Sequence, residues 1–317
     1  MKYKFNWKIF VRNFKRDWQL HLLMLFPVIY LIIFDFIPMY GLQMAFRDFR
    51  PTHAVTGAGG ISGSVWVGLK WFEDFLSAYN FREIFMNTVI LSLYDLCTFP
   101  LPIIFALALN ALRSERYKKV VQTVSYMPYF IAVTVMVGIV NMILSPTAGL
   151  YGVLYRVFTD APYAPDIRYM STTFRHLYVW SGVWQTLGWN TIIYTAALSS
   201  VSVELHEAAQ IDGASRLKRM WHIDLPTIIP TVAIMLIMRC TSIIGIGTEK
   251  AYLMQSDLNL STSEVISTYI FKKAIGSVRS YSYGGAVGLF QTAINLTLLV
   301  SVNSIVKHAT DGEISLY

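Results

Sequence analysis

Three ionisable residues lie inside long apolar stretches of this chain: Asp35, Asp95 and Arg239. Charge within hydrocarbon is costly, so such residues mark function or pair with one another. Arg239 follows Pro226 by thirteen residues, which is roughly 20 Å along a helix at 1.5 Å per residue. That places it near or just past a bilayer midplane, and Asp95 lies at a similar depth counted from the other end of its own stretch. Two readings stand. A planar guanidinium suits the hydroxyls or a carboxylate of a polar ligand; the preferred reading is a neutralising pair of Arg239 with Asp35 or Asp95. Gln185 and Asn190, polar within another apolar stretch, are further candidates for lining a ligand path, and Tyr178, Trp180, Trp184, Trp189 and Tyr194 offer rings for stacking on a ligand or for helix packing.

Residues for covalent chemistry are missing. The six histidines have no ligand spacing, Cys97 and Cys240 each lie in an apolar run, and the phosphate-cradling GxxxxGK[ST] is absent. No metal site, no bound cofactor and no intrinsic enzymatic activity are expected, so any ATP chemistry belongs to another polypeptide.

The elements that position these residues are membrane helices. The 317 residues are 55% hydrophobic and 14% charged, with a mean hydropathy of +0.47. That composition excludes a soluble protein. The net charge of +7 comes from basic residues at the edges of apolar runs, which fits membrane orientation and not nucleic-acid binding. Six stretches reach the roughly 20 apolar residues a span needs, near 21–46, 84–112, 120–145, 174–203, 227–247 and 284–306. The expected fold is all-α, a single membrane domain over 1–317. Basic residues at 2–16, and Arg113, Arg116, Lys118 and Lys119, put the segment 1–20 and the second loop in the cytoplasm. The loop 204–226 and the tail 307–317 then face the same side. The outer segments are 47–83, whose KWFEDFLSAYNFREIF suits the membrane surface, the Pro-containing 146–173, and the polar 248–283.

The cytoplasmic loop reads HEAAQIDGASRLKRMWHIDLP over 206–226. Its spacing predicts a helix over 204–212, a change of direction at Gly213, a second short helix carrying Leu217, Met220 and Trp221, and a span opening at Pro226. A hairpin of this kind either packs on its own bundle or docks in a partner's groove.

Glu207-Ala208-Ala209, Gly213, Ile223 and Leu225-Pro226 match every position of the EAA signature of ABC importer permeases, and Asp212 before the glycine is also usual there. FDFIPMYGLQMAFRDF, SERYKKVVQTVSYMPYFIA, LSPTAGLYG and EKAYLMQSDLNLSTSEVISTYIFKKAIGS extend the resemblance to the carbohydrate-uptake permeases, most closely the branch handling poly- and oligosaccharides such as alginate. The resemblance implies a type I importer permease fold in a bacterial cytoplasmic membrane. It implies a second homologous permease, an ATPase pair binding ATP and Mg²⁺, and an extracytoplasmic sugar-binding protein. The loop would dock into the ATPase, with Glu207 as docking residue and Gly213 as hinge. The eight spans and large outer domain of the maltose-type relatives have no counterpart. An ion-coupled secondary sugar transporter is the alternative, although neither inverted repeats nor paired broken helices are visible.

Overall fold

The computed structural model describes residues 16–51, 60–240, 245–276 and 280–309. Among these the chain is helical, with no strand and one isolated antiparallel bridge, Arg47 to Trp66. Four helices are long and apolar enough to cross a membrane: α1 (Trp18–Phe46), Phe81–Asn110, which breaks into α3 (Phe81–Cys97) and α4 (Pro100–Asn110), α10 (Arg216–Cys240), and α14 (Tyr281–Ala309). The short α2 (Lys70–Leu76) precedes them from the second onward. Helix α8 (Ser171–Leu198) has 28 residues and the length to cross, diluted by Ser, Thr and Gly. The expected third span is instead a bent pair, α5 (Glu115–Tyr126), prolonged as a 3-10 turn to Phe130, and α6 (Val133–Ile143), meeting at 104°.

That bend has a local cause. Pro128 lacks an N–H to donate, and Ile131 and Ala132 turn extended, with ψ of 128° and 145°. The freed Ile131 carbonyl accepts from Nε2 of Gln185 at 2.8 Å, and Trp189 stacks on Tyr129 at 4.3 Å with its plane nearly parallel.

Two spans carry π turns, Ile32–Phe36 in α1 and Met220–Asp224 in α10, and each stops two residues before a proline, Pro38 and Pro226. A proline ring clashes with the carbonyl four residues back, and a wider turn relieves that clash. Bonding five residues apart, Ile37 to Ile32 and Leu225 to Met220, carries the helix through. The fifth span therefore does not begin at Pro226. It begins at Arg216, so the expected second short helix of the loop and the span are one rigid rod.

The segments expected on the outer side are more structured than their polarity suggests. Phe75 of α2 is 1% exposed and meets Phe81, Phe290 and Tyr269 at 5.0, 5.5 and 5.9 Å. The stretch expected along the membrane surface is thus part of the core. Segment 146–173 contributes α7 (Leu150–Thr159). The polar segment after α10 folds into α11 (Thr248–Met254), α12 (Leu260–Ser263) and α13 (Ile266–Ile275). Several of its buried polar groups are satisfied internally, which permits their burial: Asn259 donates to the Met254 carbonyl at 3.0 Å and accepts from Ser263 Oγ at 2.8 Å, and Thr88 Oγ1 accepts from the Ile266 N–H at 2.9 Å. By contrast residues 18–40 of α1 are exposed throughout, and α1 joins the bundle through Tyr40–Phe46 against α14.

Candidate functional site

The loop over 204–226 opens on Ser202, whose hydroxyl accepts from the Glu204 N–H at 3.2 Å and caps α9 (Val203–Ile211). Its end is a Schellman motif. The Gly213 N–H donates to Gln210 O at 3.1 Å, the Ala214 N–H to Ala209 O at 2.8 Å, and Gly213 takes φ +73°. Ser215 then caps α10 by accepting from Lys218 N at 3.4 Å. His206 on α9 sets Nε2 3.0 Å from Oδ1 of Asp224, a carboxylate on α10 that is 3% exposed. The two arms are therefore fixed to each other at both ends of the loop.

Large apolar side chains stand exposed among the charges of this loop. Ile211 is 86% exposed, and Val203, Leu205, Leu217 and Trp221 are each more than half exposed. Glu207, Ala208, Asp212 and Gly213 lie on this open side, while Ala209, Ile223 and Leu225 are partly covered. Large exposed apolar side chains rimmed by charge mark a contact surface. The base is held by the cluster of Ile103, Ala106, Leu107, Tyr194, Leu198 and Ile228, with Met220 and Leu225 packed on it. A push on the loop thus reaches α4, α8 and α10 through packed side chains.

The second site surrounds Asp95 and Arg239. The carboxylate forms an ion pair with the Arg239 guanidinium, where α3 breaks before Pro100. Of the two anticipated partners the structure selects Asp95; Asp35 lies in the π turn of the exposed α1. Cavities of about 250 and 220 Å³ share this pair. Asn190, Thr186 and Tyr194 help line the first, and Gln185, Tyr178 and Lys250 the second. Asp95, Arg239, Asn190 and Gln185 are therefore brought together, although the one hydrogen bond of Gln185 goes to the Ile131 carbonyl. Trp184 remains exposed beside them. Trp180 donates to Tyr94 Oη at 2.9 Å, and that hydroxyl bonds His176 Nδ1 at 2.8 Å.

Lys250 was not legible as a site residue, since it reads as one more charge of a polar outer segment. Its Nζ donates to the Tyr178 carbonyl at 2.6 Å and lies 4.5 Å from the centre of that ring. Burial pulls its pKa down to about 8, with the Asp95 charge opposing.

Residues 98–310 match the profile of the binding-protein-dependent transport system inner membrane component family. The chain belongs to that family. The matched region of this inner membrane component contains the hairpin and Arg239, and starts three residues after Asp95. Relatives in Bacillus subtilis (strain 168) include Protein LplB, 37% identical over 92% of this chain and 90% of its own length. The polygalacturonan/rhamnogalacturonan transport system permease protein YteP is 35% identical over 94% and 90%. Among solved structures, a bacterial ABC transporter importing the acidic polysaccharide alginate superposes with a TM-score of 0.84 at 32% identity, covering 94% of this chain and 98% of that one. A bacterial alginate ABC transporter in complex with an alginate pentasaccharide-bound periplasmic protein gives 0.83 at 30%, covering 96% and 99%.

Proposed function

We propose that this chain is one of two membrane subunits of an ATP-driven importer for an acidic oligo- or polysaccharide. The observation that carries the reading is the hairpin: a loop bearing the complete EAA signature, capped and pinned, whose outward surface exposes large apolar side chains rimmed by charge. Such a surface needs a partner, and this chain holds no nucleotide-binding loop of its own. A separate ATPase pair, binding ATP and Mg²⁺, would dock on 204–226 through Glu207 and its neighbours, and its closure would tilt α10 as one rod because hairpin and span are continuous. Bare apolar α1 would lie against lipid and the second permease. N- and C-termini would be cytoplasmic, and an extracytoplasmic binding protein would deliver the glycan to the opposite face.

Acidity is supported by the relatives that handle polygalacturonan and alginate and by the cations around Asp95. The substrate path would run past Arg239, Asp95, Asn190, Gln185 and Trp184. Ion coupling is less well supported, because the family that the chain matches is a binding-protein-dependent transport component, and Asp95 is already paired with Arg239.

The test is ATPase stimulation of the reconstituted transporter, with its binding protein, by acidic and neutral oligosaccharides of equal length. Stimulation by uronate oligomers is expected. Uptake driven by an ion gradient through this chain without ATP would overturn the reading.

A further inference from the structure

The cavity beside α8 holds three charged groups, one carboxylate and two cations. Asp95 is engaged by Arg239, so that pair contributes little net field. Lys250 is the excess. Among the described residues no carboxylate forms an ion pair with it; the Tyr178 carbonyl and ring are its contacts. A carbonyl and a π face orient an ammonium without neutralising it. The ammonium also lies close to the backbone of α8: a Cβ added to Gly182 would stand 2.9 Å from the Lys250 Nζ, so the end of the lysine would have to shift. That position of α8 thus leaves room for the ammonium. An ammonium held against burial, facing a cavity of about 220 Å³ that Thr186 and Gln185 also line, favours an anion of small size.

We propose that Lys250, with Arg239 beside it, forms a carboxylate subsite that takes the uronate group of one sugar residue and so sets the preference of the transporter for acidic over neutral glycans. The proposal rests on the importer reading. It assigns to Lys250, not to the neutralised Arg239, the net charge that recognises substrate.

The experiment is ATP-dependent uptake, by the full transporter with its binding protein, of an oligogalacturonate and of the same oligomer fully methyl-esterified. For Lys250→Met the ratio of acidic to esterified uptake falls at least about tenfold, the scale of one charge-assisted hydrogen bond, while Lys250→Arg restores most of it. Gly182→Ala, which displaces the ammonium without removing it, lowers the ratio in the same direction and serves if the methionine variant fails to assemble. An unchanged ratio in either variant, or equal loss of both oligomers in an assembled Lys250→Met complex, overturns the subsite. A wild-type transporter that takes up neither oligomer removes the acidic-glycan reading, and the subsite with it.

Discussion

Replacing Gly213 by alanine isolates the backbone geometry of the hairpin. Gly213 has φ +73°, and a Cβ built there meets nothing within 4 Å. The cost is therefore conformational and not steric contact with neighbours. A left-handed non-glycine residue costs about 1–2 kcal/mol, a shift of roughly 5- to 30-fold in the balance between the capped hairpin and one frayed at its turn. Affinity of the ATPase subunit for the purified permease pair would fall by up to that factor, read by titration in detergent. The order of variants is the sharper result. Asparagine tolerates the left-handed region better than alanine, and valine tolerates it worst. Affinity should fall in the order Gly, Asn, Ala, Val, against side-chain volume for the Asn–Ala pair. Asparagine binding more weakly than alanine, or valine matching alanine, would refute a backbone origin and point to a partner surface crowding the turn.

Two more outcomes follow from buried polar groups. Gln185→Leu removes the donor to the Ile131 carbonyl and leaves that carbonyl unsatisfied at the 104° bend. A loss of about 1–3 kcal/mol should appear as a lower thermal midpoint of the purified transporter, and an unchanged midpoint would show that water fills the gap. Lys250, with Asp95, Arg239 and Tyr178 facing it, has its pKa lowered to about 8, so it is charged below that value and neutral above. The acidic-to-esterified uptake ratio should drop about tenfold from pH 7 to pH 9; because the unfolded lysine holds its proton up to its ordinary value, the same group makes the fold more stable, not less, as pH rises through this window. A ratio that is flat across the range in wild type contradicts either the lowered pKa of Lys250 or its part in recognition.

Much of the architecture is legible from hydropathy, because a span is a property of about twenty successive residues. Helix α1, the Phe81–Asn110 pair and α14 lie within a few residues of where apolar length puts them. The bend at Ile131 is less visible, since Pro128 alone does not say whether a helix kinks or breaks; the deciding group is the Gln185 amide on a distant helix. Pro226 misled for a related reason. Proline at a helix start is the common solution, and the π turn over Met220–Asp224 is the rarer one that keeps the rod continuous. The segment after α10 reads as polar connector because burial of Asn259, Ser263 and Thr268 depends on hydrogen bonds that only the folded chain forms. For the sites, the EAA spacing marked the loop and its turn at Gly213, though not the continuity of its second arm with the span, and the intramembrane charges pointed to the Asp95–Arg239 pair. Lys250 stayed hidden because its meaning lies in Gly182 and Tyr178, seventy residues away.

The central claim is that the hairpin over 204–226 is where an ATP-hydrolysing subunit attaches and drives the spans. Its most direct measurement is co-purification of the ATPase subunit with the permease pair, together with ATP-dependent uptake, for Glu207→Lys. Glu207 is exposed and has no ion pair or hydrogen bond among the described residues, so the substitution leaves the permease fold intact while reversing charge on the docking face. The account predicts an assembled permease pair that loses both the ATPase subunit and uptake; full retention of both would contradict it.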